Sequence, residues 1–106
     1  MKKAIIVTCS LLSVLLAQSM TIEGIVKDKK TQKNLIGANV FIVGTSIGAS
    51  TNTEGKYLLK NVKPGSYKVK ASYIGYQAVE VDIDVTPTEN MTQDFELSYV
   101  SLQGEA

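Results

Sequence analysis

From Met20 onward the chain alternates apolar and polar residues with a period of two, the mark of strands buried on one face. Ile22, Gly24 and Val26 share one side of a first strand, with Glu23, Ile25 and Lys27 on the other. The polar run "DKKTQKN", Asp28 to Asn34, then turns the chain. "GANVFIVG" predicts a second strand in which Ala38, Val40 and Ile42 face one way and Asn39, Phe41 and Val43 the other. Apolar residues on both sides imply either a strand covered on both faces or an exposed apolar patch. "GTSIGAST" predicts a short, glycine-bent edge strand. "NTEG", Asn52 to Gly55, predicts a tight turn in which Asn bonds its own backbone and Gly takes positive φ. "KYLLK" follows with Tyr57 and Leu59 inward, and Pro64-Gly65 turns the chain again. "MTQDFEL" predicts a last strand with Met91, Gln93, Phe95 and Leu97 on one face. Short strands at close turn spacing predict an all-β fold, an antiparallel β-sandwich of about seven strands.

The segment "SYKVKASYIGYQAVEVDIDV" permits a register to be predicted. Tyr67, Val69, Ala71 and Tyr73 lie on one face of its first half and Lys68 and Lys70 on the other. In its second half Val79, Val81, Ile83 and Val85 oppose Glu80, Asp82 and Asp84. A hairpin centred on Gly75 sets Lys70 against Glu80 and Lys68 against Asp82, whereas a one-residue slip would set valines against lysines.

The first residues read as an export signal. Lys2 and Lys3 give a positive start, Ala4 to Leu16 form an apolar run, and Ala17-Gln18-Ser19 supplies small residues at a cleavage site. The run is short for a membrane span, which needs about 20 apolar residues. The expected organisation is a helical signal peptide over 1–19, a β-sandwich over 20–98 and a tail or linker over 99–106. Cys9, the single cysteine, lies inside the apolar run, too early for a lipidation site. The exported portion then has no disulfide and depends on packing.

Charge and composition narrow the chemistry. The net charge is +1 for the whole chain, and losing Lys2 and Lys3 leaves −1. The basic residues are all Lys, which with the even balance argues against nucleic-acid binding. There is no histidine, so His-based triads and most zinc sites are excluded. Neither a catalytic nor a cofactor site is expected. Glu80, Asp82 and Asp84 share a face that could attract calcium, but no loop wraps an ion and lysines stand opposite. The cluster reads as a paired, solvated face, and no metal is expected. The glycines around Gly55-Lys56 fit no phosphate loop, since Tyr57 and a strand follow. Tyr57, Tyr67, Tyr73, Tyr76 and Tyr99 offer rings for sugar stacking, although tyrosines at alternating strand positions more often serve the core or its edge. The candidate interaction surface is Phe41, Val43, Tyr73 and Tyr76.

The order of landmarks carries a resemblance. Gly24, Val26 and Asp28 come first, then Thr31, then "LIGANV" at Leu35 to Val40. Gly44-Thr45, Gly48 and Thr51 follow, with "GKYLL" at Gly55 to Leu59, Val62, "PGSY" at Pro64 to Tyr67 and "SYIGY" at Ser72 to Tyr76. Together, in this order, they resemble the carboxypeptidase regulatory-like domain, a transthyretin-like (prealbumin-like, Ig-like) β-sandwich. The resemblance covers nearly all of Met20 to Leu97. Gln32, Ile36 and Asn52 stand where the family often has Gly, Pro and Asp, which touches turn details rather than the fold. The version seen here is similar to the domain preceding the plug of TonB-dependent outer-membrane receptors, which import nutrients. The resemblance implies a non-catalytic, exported module in the periplasm or at the outer membrane of a Gram-negative bacterium. Its implied partners are proteins, the receptor plug or the TonB system. "LQGEA" resembles the link toward the plug, and neither plug nor barrel follows, so a receptor fragment and a free-standing relative are both open. A free-standing carbohydrate-binding module is the alternative.

Overall fold

The computed structural model describes residues 19–100, which form nine strands and no helix. The expected signal peptide and the tail beyond Val100 lie outside the described residues. The strands are β1 (Met20–Asp28), β2 (Asn39–Ile42), β3 (Gly48–Ser50), β4 (Lys56–Val62), β5 (Gly65–Ser72), β6 (Tyr76–Gln77), β7 (Val79–Val85), β8 (Met91–Thr92) and β9 (Phe95–Tyr99). One sheet runs β4-β1-β9-β6, with β8 also paired to β1; the other runs β3-β2-β5-β7. They face each other as a β-sandwich. β6 and β8 are two-residue pieces, so seven longer strands carry the fold.

The core follows from the alternation. Ile22, Val26, Tyr57, Leu59, Val62, Phe95 and Leu97 come from the first sheet. Val40, Ile42, Val69, Ala71, Ile83 and Val85 come from the second, and all of these are buried. Each fully buried Val, Leu or Ile contributes about 1.5–3 kcal/mol of transfer free energy. Thr51 is one of two buried polar residues, with Asp28: its hydroxyl accepts the Ala38 N–H at 2.9 Å and donates to the Leu35 carbonyl. That fixes the entry to β2 against the exit from β3.

The charge-matched register is the one observed: Lys68 pairs with Asp82 and Lys70 with Glu80. The ladder ends at Ala71–Val79, however, and the chain between does not close a simple hairpin. It crosses to the other sheet, where Tyr76 pairs with Tyr99 and Gln77 with Ser98.

The last strand departs from the sequence reading in two ways. It is broken at Gln93-Asp94, and both pieces run parallel to β1, so the sandwich is not antiparallel throughout. The break has a local cause. The Gln93 N–H donates to the Glu23 carbonyl, and the Asp94 carboxylate takes the Ile25 N–H at 2.9 Å, in place of a backbone acceptor. The parallel sense is available because β7 lies in the opposite sheet: the chain crosses over to reach β1, and no tight hairpin imposes an antiparallel direction.

The turn at Gly55 is built as the sequence implies. Asn52 Oδ1 accepts the N–H groups of Glu54 and Lys56, and the Gly55 N–H donates to the Asn52 carbonyl at 2.9 Å. Gly55 has φ 76°, and a Cβ there would stand 2.8 Å from the Asn34 Cβ. Gly55→Val is expected to cost at least about 2 kcal/mol, lowering the melting temperature by about 10 °C; an unchanged melt would refute the turn assignment. Charge reversal by Lys68→Glu is expected to be partly repaired by Asp82→Lys. A double-mutant cycle should give a coupling of about 0.2–1 kcal/mol for this exposed pair.

Candidate interaction surface

The four candidate contact residues fall on two separate parts of the molecule. Phe41 points outward from β2, and Val43 lies just past its end. Phe41 lies directly across from Gly48 on β3, where an added Cβ would stand 3.0 Å from the Phe41 Cβ. The ring is only half exposed because the glycine gives it a floor; Val43 is 43% exposed. Asn39, Phe41, Ser46, Gly48, Ser50 and Ser72 line a shallow groove of about 500 Å³ beside this edge.

Tyr73 and Tyr76 instead pack at one end of the sandwich. Their ring centroids are 5.5 Å apart, and Tyr76 meets Tyr99 edge-on at 5.4 Å. Inclinations of 58° and 72° make this a pile of crossed rings rather than a flat platform. Ile74 stands at the turn between them, 90% exposed, and Tyr99 is 66% exposed. The Val100 N–H donates to the Gly75 carbonyl at 2.8 Å, holding the exiting chain against this turn.

Asp28 organises the same end; the sequence reading counted it among the landmarks of the resemblance but not among the candidate contact residues. It is only 7% exposed. Its Oδ1 accepts the N–H groups of Lys30 and Thr31 at 2.8 and 2.9 Å, and its Oδ2 accepts the Tyr76 hydroxyl at 2.6 Å. The signal was available: Asp28 continues the inward phase of Ile22, Gly24 and Val26, so a carboxylate was due on the apolar side. The Tyr76 hydroxyl, and after it the Thr31 N–H, hold the Asp28 carboxyl below its ordinary value. The same bond, helped by burial, pushes the Tyr76 phenol up to about 12.

A second knot lies in the first sheet. The Tyr57 hydroxyl donates to the Gln93 carbonyl at the strand break. Burial, reinforced by the Asp94 and Glu23 charges, holds the Tyr57 phenol well above its ordinary value. Both tyrosines are locked as neutral donors and Asp28 as a satisfied acceptor, so these groups position the backbone and do not exchange protons near neutral pH. Among the described residues no group of three or more His, Cys, Asp or Glu side chains is arranged to hold a metal ion. Glu80 and Asp82 lie 3.9 and 4.0 Å from Lys68 Nζ.

Comparisons with known proteins agree with this architecture. A family model described as a CarboxypepD_reg-like domain matches residues 22–105. The TonB-dependent receptor SusC of Bacteroides thetaiotaomicron is 38% identical over 81 residues, which is 76% of this chain but 8% of that receptor. Among solved structures, a type II cohesin–X-dockerin complex from Acetivibrio cellulolyticus aligns at 26% identity with a TM-score of 0.58, covering 72% of this chain and 52% of that one. The Bacillus cereus major pilin subunit BcpA aligns at 13% identity with a TM-score of 0.63, covering 77% and 30%. The likeness to the pilin is one of fold alone.

The Asp28–Tyr76 bond makes stability pH-dependent in a defined sense. The Asp28 contribution is full above the ordinary carboxyl value of 3.8 and is lost as pH falls through the lower folded value. The Tyr76 contribution is full below 10.0 and is lost as pH rises through about 12. Tyr76→Phe is therefore expected to lower the melting temperature at neutral pH, and the gap from the parent should narrow in acid. Thermal melts of both proteins from about pH 7 down to about pH 2 measure this, and a constant gap would remove Asp28 as the cause.

Proposed function

Because the chain belongs to the CarboxypepD_reg-like domain family, we propose that it is a non-catalytic interaction module of a TonB-dependent uptake system. In this reading it is exported to the periplasmic side of a Gram-negative outer membrane and contacts the receptor plug or the TonB system. The observation that carries this is the 38% identity to SusC over 81 residues. The chain spans about 8% of that receptor's length, so transport itself is not a property assigned to this polypeptide.

The structure's chemistry is consistent with contact rather than turnover. Its buried polar groups, Asp28, Thr51 and Tyr57, are spent on backbone anchoring. What remains for a partner is exposed: Ile74 and Tyr99 at one end, Val43 just past the end of β2, and the edges of the two sheets. The cohesin–X-dockerin neighbour is named for a protein complex, which favours the same kind of role. Glycan binding draws less support, since the crossed rings of Tyr73, Tyr76 and Tyr99 offer no flat stacking platform.

The test is a calorimetric titration of the purified protein with the periplasmic region of TonB and, separately, with the plug of a cognate receptor. Saturable binding to one of them is the expected outcome. No binding to either would overturn the receptor reading.

A further inference from the structure

The two edges of the second sheet are built differently. β3 is three residues long, carries Gly48 and is overlaid by Phe41. β7 has seven residues without proline, glycine, lysine or bulge, is paired to β5 along its whole length, and ends its sheet among the described residues. Natural edges are usually blunted by such interruptions. Its free backbone groups can be identified. The Val43 N–H donates to the Lys68 carbonyl, so even-numbered residues of β5 turn their N–H and C=O groups toward β2. The Ile42 N–H correspondingly turns to the Ile47 carbonyl on the other side. Tyr67, Val69 and Ala71 then face β7, where they meet Ile83, Val81 and Val79. The N–H and C=O groups of Glu80, Asp82 and Asp84 are left pointing out of the sheet.

The side chains define what could pair there. The exposed carboxylates of these three residues share the outer face, and Lys68 approaches Glu80 and Asp82 from the β5 side only. On the inner face Ile83 and Val85 are buried, whereas Val79 and Val81 remain half exposed at the rim. β7 thus has the chemistry of a middle strand with one neighbour missing. A second copy of β7 is a poor neighbour, because every register that matches valine with valine also sets carboxylate against carboxylate.

We propose that the free edge of β7 is a strand-addition site for an extended segment of a partner protein that alternates basic and apolar residues. Main-chain bonds to residues 80, 82 and 84 supply the docking, lysines or arginines meet the outer carboxylates, and apolar residues cover Val79 and Val81. The inference stands on sheet geometry and charge, independently of the receptor reading.

A suitable probe is an acetylated and amidated peptide copying this chain's own Gly65–Ser72, which already complements β7 from the other side. Amide hydrogen exchange by NMR on the protein is the readout. In the free protein the amides of residues 80, 82 and 84 should exchange fast and those of 81 and 83 slowly. The peptide should slow the first group at least about tenfold. The same peptide with Lys68→Glu and Lys70→Glu should not, and Asp82→Lys in the protein should shift the preference toward it. Glu80→Lys serves the same purpose if Asp82→Lys melts early. Overturning outcomes are protection of 80, 82 and 84 in the free protein, protection that rises with protein concentration alone, equal protection by both peptides, or no protection at millimolar peptide.

Discussion

The first sheet depends on the space above Gly24. β1 is its middle strand, with β4 antiparallel on one side and the broken β8–β9 strand parallel on the other. At the break the Gln93 carbonyl leans over β1 so closely that a Cβ on residue 24 would lie 2.0 Å from it. Only glycine leaves that room. The carbonyl is there to receive the Tyr57 hydroxyl, and Tyr57 is the cross-strand partner of Gly24. Two pieces of sequence about thirty residues apart, "EGIV" and "GKYLL", are therefore one device. The glycine admits a strand break, the tyrosine satisfies it, and Asp94 caps the Ile25 N–H that the break leaves behind.

Asp28 performs the matching task at the end of the same strand. Its carboxylate holds the first turn through Lys30 and Thr31 and reaches the "SYIGY" segment through Tyr76. The segment that leaves the second sheet at Ser72 is thereby brought across to the first, and Tyr76 becomes a strand residue beside Tyr99. Without a disulfide among the described residues, the sheets are joined here by one buried carboxylate, a phenol and crossed rings. Such a bond is strongest while Asp28 is ionised and Tyr76 is not. Four of the residues that carried the resemblance, Gly24, Asp28, Tyr57 and Tyr76, thus tie distant segments together.

How much was legible in the sequence follows from what alternation encodes. It encodes which face a residue occupies, so the inward sets of β1, β2, β4 and β5 could be read directly. It encodes register wherever a charged face must match, as Lys68–Asp82 does. It does not encode strand direction or a change of sheet. Gln93, Phe95 and Leu97 keep their period through the break, so nothing in the pattern marked the interruption or the parallel pairing with β1. The crossing at 73–78 was equally hidden, because Tyr73 and Tyr76 are apolar enough for either sheet. The proposed contact set divided for the same reason. Phe41 and Val43 are outward by phase, whereas Tyr76 is held by a long-range hydrogen bond to Asp28 that periodicity does not contain, and Tyr73 packs on the Tyr76 ring.

The asymmetry of the two sheets bears on how such a module can act. In the first sheet the middle strand is braced on both sides, and the long-range polar contacts are internal. The second is left with a blunt edge at β3 and a regular one at β7. Acidic residues on β7 discourage pairing of like edges without disturbing the inner valines, since outer-face charge and inner-face packing sit on alternate positions. The same separation leaves an edge whose main-chain groups are available only to a strand of complementary charge. Specificity in this domain then rests on the alternation that built the sandwich, with no pocket required.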